Sequence, residues 1–169
     1  MANAKTSDYL RECIADAVLA LLKEKPAEKI TADEIVSKAG VGRATYFRAF
    51  RAKGSSKSEA VTFKLIRLWE RWAEAHDLRE RNRFDLSNAL TFFEYNESIR
   101  PVLDVIYASG MQEALHESFT RIMMPEEGHS WRELFYAHGL YGLLDGWIRR
   151  GYRETPEEMA GIVREIMKG

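Results

Sequence analysis

The residues with the most concentrated chemistry are basic side chains in one short stretch of the chain. Between Ile35 and Ser58 there is no acidic residue, and the basic ones are Lys38, Arg43, Arg48, Arg51, Lys53 and Lys57. Residues 1–58 carry 11 Lys and Arg against 7 Asp and Glu, whereas residues 59–169 carry 14 against 19, within a net charge of −1. Guanidinium and ammonium groups gathered in this way could pair with the phosphates of a nucleic acid. A solvated basic face is the alternative interpretation.

Two short helices joined by a tight turn would position these side chains. Thr31 and Glu34 have the spacing of a capping box, in which each side chain satisfies a backbone N–H of the other residue. Gly40 falls where a helix can end through a left-handed residue. Arg43 to Phe50 then forms a second helix that is rich in basic and aromatic residues. The pattern predicts a helix-turn-helix, whose second helix enters the major groove of DNA.

Helical periodicity continues through the rest of the chain. A long amphipathic helix is expected from Lys57 to about His76. Capping residues or prolines mark further helix starts at Asp85, Pro101, Ser130 and Thr155. No segment alternates between apolar and polar residues as a strand does. We therefore expect an all-α fold of about nine helices, with a helix-turn-helix domain at 1–56 and a second helical domain at 57–169, to which the resemblance described below assigns effector binding and dimerisation.

Composition narrows the class of protein. A chain that is 46% hydrophobic and 30% charged can bury a core and is not expected to be disordered. No apolar run approaches the roughly 18 residues of a membrane span, and the single Cys13 suits a reducing compartment. Glu113 and His116 form half of a helical di-iron motif, but the second half is missing. We expect a cytoplasmic protein that is not an enzyme and has no metal site and no cofactor.

Three segments carry a family resemblance: ITADEIVSKAGVGRATYFRAF near the N-terminus, SKSEA at the start of the fourth helix, and GLLDGWIRRGYRETPEEM near the C-terminus. Their order resembles the TetR family of bacterial transcriptional regulators. The resemblance implies a three-helix DNA-binding head, a long connecting helix, and a C-terminal helical domain that binds a ligand and dimerises. The chain departs from the family pattern in the order of Thr45, Tyr46 and Phe47, at Ala49, and in the longer segment from Phe50 to Ser56.

The helix-turn-helix pattern and the resemblance together predict the contacts with double-stranded DNA. Arg43, at the start of the second helix, could form a bidentate pair with O6 and N7 of guanine. By analogy Phe47 faces DNA and Tyr46 packs inward. Arg43→Ala is expected to relax base preference, and Lys57→Ala to weaken binding evenly. The full predicted set is Thr31, Arg43, Ala44, Thr45, Tyr46, Phe47, Arg48, Lys53 and Lys57.

Glycines in the penultimate helix predict a close helix–helix contact. They recur at i, i+3 and i+7 and leave a bare strip on which another helix can lie, although packing within the chain is the alternative. A homodimer built on this strip and on the last helix would place two heads about 34–36 Å apart on a near-palindromic operator. The predicted dimer interface comprises Gly139, Gly142, Gly146, Ile162, Val163 and Ile166.

Aromatic residues between the fourth and eighth helices predict either a packed core or a ligand site. The resemblance implies a small apolar or aromatic effector in this region, whose binding changes the separation of the two heads. The candidate lining residues are Trp72, Phe93, Tyr107 and Tyr136. The predicted function is a sequence-specific repressor of the TetR type that such an effector releases. The alternative is a helical dimer with little or no specific DNA binding, which acts as a protein or ligand interaction module.

Overall fold

The computed structural model describes residues 2–50, 56–78, 82–125 and 127–168. Within these ranges every regular element is helical and none is a strand, which confirms the all-α prediction. Short 3-10 helices at Ala27–Lys29 and Leu86–Asn88 precede α2 and α5. The α-helices of the described ranges are α1 (Ala2–Leu22), α2 (Ala32–Ala39), α3 (Arg43–Ala49), α4 (Ser56–Ala75), α5 (Ala89–Ser98), α6 (Arg100–Ala108), α7 (Gln112–Met123), α8 (Trp131–Arg149) and α9 (Pro156–Lys168).

Capping boxes define where α2 and α8 begin. At α2, Glu34 N–H donates to Thr31 Oγ1 at 3.3 Å, and Thr31 N–H donates to the Glu34 carboxylate at 2.9 Å. Ser130 and Glu133 repeat both bonds at the start of α8, at 3.3 and 2.8 Å. Each box satisfies backbone N–H groups that have no partner within the helix. The helix starts predicted at these positions are therefore correct.

The described residues form two units. The first contains α1 to α3, α4 through Leu68, and residues Val105–Ser118. Its core includes Ile14 and Val18 of α1 and Ile35 of α2, which are fully buried, and α1 packs against both α2 and α3. This packing supports the short α2 and α3, because helices of seven or eight residues are not stable in isolation.

The second unit contains Trp69–Asp104 and the residues from Phe119 to the end of α9. Phe93 is fully buried at its centre and meets Trp147 edge to face, with 5.3 Å between ring centroids. The indole N–H of Trp147 donates to the carbonyl of Glu154 at 2.9 Å, so the buried ring also has its polar group satisfied. Helix α5 packs against α9 in this unit.

The division at residues 56 and 57 stays a prediction. Helices α4, α6 and α7 each contribute residues to both units. None of the described helices is both long enough and apolar enough to cross a bilayer.

Candidate DNA, ligand and dimer sites

The turn between α2 and α3 is short and depends on Gly40. This residue has a φ of 66°, in the left-handed region that favours glycine. Val41 N–H donates to the carbonyl of Val36 at 3.1 Å, which closes the end of α2. Gly42 then precedes α3 in an extended conformation and accepts hydrogen bonds from the first turn. The two helices and three-residue turn have the local form of a helix-turn-helix.

Helix α3 divides its aromatic residues between the core and the surface. Tyr46 is 3% exposed and Phe47 is 45% exposed, because consecutive helical residues diverge by about 100°. Their rings lie 5.0 Å apart. Burial raises the pKa of Tyr46, and the hydroxyl of Ser56 opposes part of this rise. The ring of Tyr46 therefore packs inward against Phe47 and is not on the exposed face, and its contact with DNA stays a prediction.

The other predicted residues of α3 are accessible. Arg43, Ala44 and Arg48 are exposed, and Thr45 is half-exposed. Together with Phe47 they form what we call the α3 outer face: Arg43, Ala44, Thr45, Phe47 and Arg48. This face carries two guanidinium groups and one exposed aromatic ring, which are groups that can meet phosphates and base edges in a groove.

Arg43 has a partner that the sequence did not reveal. Its Nη1 donates to Oδ1 of Asp33 at 2.7 Å. Its guanidinium carbon also lies 5.8 Å from the centroid of the Phe47 ring, within cation–π range. The signal available in the sequence was the pair of acids that follow Thr31, of which Glu34 is used for capping and Asp33 is not.

The ammonium group of Lys57 is hydrogen-bonded within the first unit. Its ammonium donates to the carbonyls of Ala27 and Ile30, the latter at 3.0 Å. The side chain is half-buried. These bonds tie the start of α4 to the short helix before α2, so the predicted phosphate contact of Lys57 competes with a structural one.

Thr31 and Lys53 complete the predicted DNA set. Thr31 is exposed, and its hydroxyl is engaged in the capping box, as both acceptor from Glu34 N–H and donor to the Glu34 carboxylate at 3.0 Å. Lys53, like Arg51 beside it, lies outside the described residues.

A small cavity lies inside the second unit. Its volume is about 50 Å³, and its wall is mainly apolar. Arg83, Asn88 and Thr91 supply the polar groups. The lining residues are Trp69, Leu78, Arg83, Asn88, Thr91, Phe92, Met123, Tyr136 and Leu140.

Of the four predicted ligand residues, Tyr136 lines this cavity and the others do not. Phe93 is fully buried against Trp147, and the ring of Trp72 stacks on His76 with 3.8 Å between centroids. Tyr107 belongs to the first unit. Phe93 points to the core because α5 buries that face, and its neighbour Phe92 lines the cavity instead. Sequence periodicity did not separate these two consecutive aromatics.

An apolar groove of about 230 Å³ runs between α8 and α9. Four of the six predicted interface residues line it, and Gly146 and Ile162 are half-exposed outside it. A Cβ added at Gly139, Gly142 or Gly146 would meet no atom within 4 Å. The lining residues are Phe135, Tyr136, Gly139, Leu140, Gly142, Leu143, Val163, Ile166 and Met167.

Large apolar side chains of α8 and α9 are also exposed, and two of them, Phe135 and Ile166, line the groove. Trp131 is 87% exposed, Phe135 is 68% exposed and Ile166 is 55% exposed. The described residues of the chain therefore leave the glycine strip uncovered, and the dimer interface stays a prediction.

The regular elements of the described residues are all helical and include a helix-turn-helix near the N-terminus, an arrangement that transcriptional regulators also use. Residues 95–169 match the TetR-type family described as a transcriptional regulator C-terminal region. This match covers less than half of the chain and supports the resemblance to TetR-family transcriptional regulators, which are typically not enzymes. No curated protein and no solved structure gives a significant match.

Proposed function

We propose that this protein is a dimeric repressor that binds a near-palindromic operator and is released by a small apolar or aromatic effector. The observation that carries the proposal is the α3 outer face. It presents Arg43, Phe47 and Arg48 to solvent on the second helix of a helix-turn-helix. Such a helix is placed in the major groove by the helix before it.

Charge supports DNA as the partner of this face. The net charge of −1 is unevenly divided, and the described part of the stretch from Ile35 to Ser58 contains basic but no acidic residues. A local excess of cations is sufficient for phosphate binding, since the field falls off within about 8–10 Å at physiological salt. The net charge of the whole chain therefore does not by itself decide whether this face binds DNA.

The groove between α8 and α9 supports a second copy of the chain as the other partner. A helix of seven residues reads few base pairs, so a specific site of useful length requires two heads. Exposed glycines let two α8 helices approach closely, and exposed Phe135 and Ile166 would be buried on association. A two-fold axis through this groove would pair each residue of the face with the same face of the partner.

The cavity in the second unit supports a small effector. At about 50 Å³ it is well below the volume of about 150 Å³ that accepts benzene, so an effector that contains a ring would bind only after the wall rearranges. Burial first, and the charge of Asp85 second, raise the pKa of Tyr136, so its hydroxyl stays protonated in the cavity wall. An effector releases the operator only if it binds the DNA-competent arrangement less tightly than the other one.

Two contacts favour the alternative function, a helical dimer without specific DNA binding. Asp33 neutralises Arg43, and the ammonium of Lys57 is used within the protein. Both contacts lower the number of cations that are free to meet phosphates. The alternative predicts weak, sequence-independent binding at every salt concentration.

Selection from a random pool of duplex DNA tests the proposal. The purified full chain should enrich a near-palindromic sequence, whose binding weakens steeply with salt. The matched control is Arg43→Ala combined with Arg48→Ala, which removes both guanidiniums from an exposed face and should keep the helical content measured by circular dichroism. Absence of any enriched sequence from the wild-type protein would refute the repressor function and favour the alternative.

A further inference from the structure

The contact between Asp33 and Arg43 places an acidic side chain beside the α3 outer face. Asp33 is the second residue of α2, and Arg43 is the first residue of α3. Their side chains are 74% and 63% exposed, so the pair lies at the surface and not in the core. A carboxylate at a surface that binds DNA repels phosphates, and it lowers affinity unless it serves another purpose.

The geometry limits how the guanidinium of Arg43 can turn. Asp33 holds Nη1 from one side at 2.7 Å, and the Phe47 ring lies at 5.8 Å on the next turn of α3. Phe47 is in turn supported by buried Tyr46, whose ring is 5.0 Å away. One of the five N–H groups of the guanidinium is engaged with Asp33, and the others remain for a further acceptor.

We propose that Asp33 is a positioning residue that converts Arg43 from a phosphate contact into a reader of a base edge. The inference rests on the proposed DNA-binding function. An ion pair has no net charge, so Arg43 paired with Asp33 gains little from a phosphate. It keeps the planar fork of donors that a guanine presenting O6 and N7 accepts in a bidentate manner. Asp33 therefore lowers the affinity for DNA of any sequence and increases the discrimination between bases.

This role has an experimental signature in which two quantities move in opposite directions. Asp33→Asn keeps the size of the side chain and removes its charge. Arg43 then becomes available to phosphates, so affinity for random duplex DNA should rise, and the slope of log affinity against log salt should steepen by about 0.9. Discrimination at the base pair that Arg43 reads should fall about five-fold or more.

The measurement uses the full chain and the sequence enriched by selection. Affinities for that sequence, for the same sequence with the base pair that depends on Arg43 replaced, and for random DNA are measured at several salt concentrations. Discrimination is a ratio of two affinities of one protein, so a loss of stability in Asp33→Asn cancels from it. Glu28→Gln is the matched control, because it removes the same charge from an exposed residue of the first unit and should leave discrimination unchanged.

Two further variants separate positioning from other roles. Asp33→Glu keeps the charge and should retain part of the discrimination. In the Arg43→Ala background, Asp33→Asn should no longer change discrimination at that base pair, because the residue through which it acts is gone.

The outcomes are distinguishable. Equal gains on the selected and substituted sequences would show that Asp33 only repels phosphates, and would overturn the inference. Equal losses on both would show a purely structural role, and would overturn it as well. If the wild-type protein enriches no sequence, the proposed function itself fails and the inference fails with it.

Discussion

The glycine strip on α8 permits a test in which protomer stability and dimer stability change in opposite directions. A methyl group added at Gly139 or Gly142 meets no atom within 4 Å in this chain. Alanine is preferred over glycine in a helix interior by about 1 kcal/mol. The double variant Gly139→Ala, Gly142→Ala should therefore stabilise the protomer by about 2 kcal/mol. For a chain of this length that corresponds to a rise in Tm of about 4–8 °C.

The same methyl groups should weaken the dimer. If two α8 helices lie on the strip, each added Cβ separates them, and two-fold symmetry makes every substitution occur twice in the interface. Overpacking of a close contact costs about 1–3 kcal/mol, so the dimer dissociation constant should rise by about ten-fold or more. Sedimentation equilibrium from nanomolar to micromolar concentration measures this constant. Denaturant unfolding at a concentration where the protein is monomeric measures the protomer.

Gly161 in α9 provides the control. A Cβ there also meets nothing within 4 Å, but the residue does not line the groove. Gly161→Ala should stabilise the protomer in the same way and leave the dissociation constant unchanged. A double variant at Gly139 and Gly142 that dimerises as tightly as the wild type would refute the placement of the interface. A monomer at all these concentrations in the wild type would refute the dimer.

Three further predictions follow from particular contacts. Lys57→Ala removes a charged donor from two carbonyls, so the free energy of unfolding measured with denaturant should fall by about 1.5–3 kcal/mol. Unchanged stability together with a flatter salt dependence of DNA binding would instead indicate that Lys57 contacts phosphate. Glu34→Gln should destabilise the protein at neutral pH, because the hydrogen bond from Lys25 first, and then those from the Thr31 backbone and side chain, lower the pKa of Glu34 from 4.5 to about 2. The contribution of the Glu34 carboxylate to the free energy of unfolding is complete above about pH 4.5 and is lost as the pH falls towards 2. The stabilities of the wild type and Glu34→Gln should therefore converge near pH 2. A constant difference between them across pH would contradict this prediction. Met123→Ala in the cavity wall should cost about 2–5 kcal/mol, measured by denaturant unfolding. The enlarged cavity should bind a small apolar ring such as toluene, measured by isothermal titration calorimetry, and no binding by the variant would argue against an effector site in this cavity.

The helix boundaries could be predicted from the sequence because their causes are local. Thr31 with Glu34, and Ser130 with Glu133, act across three residues, and the structure contains both hydrogen bonds of each box. The left-handed conformation of Gly40 could also be predicted, since a left-handed position at a helix end favours glycine. These signals fix the ends of helices regardless of what packs on them.

Contacts between elements could not be predicted in the same way. Asp33 and Arg43 are 10 residues apart, and Lys57 reaches carbonyls 27 and 30 residues earlier. Whether these side chains meet depends on the angle between helices, which no spacing in the sequence encodes. The same limit applies to the cavity, where Phe92 lines the wall and Phe93 lies in the core.

The surroundings of the exposed apolar side chains differ between the two proposed partner surfaces. Among the described residues the large apolar side chains left exposed are Tyr9, Phe47, Trp131, Phe135 and Ile166. Trp131, Phe135 and Ile166 lie on α8 and α9, and Phe135 and Ile166 line the apolar groove. Exposed apolar patches commonly mark sites of association. Phe47 differs from them, because it is a single ring flanked by Arg43 and Arg48 on a helix that presents polar groups. The groove, none of whose lining residues is charged, suits a second copy of the chain, whereas one aromatic ring among cations suits a groove lined by phosphates. The charge around these exposed side chains, more than their exposure, is our reason for proposing a different kind of partner for each face.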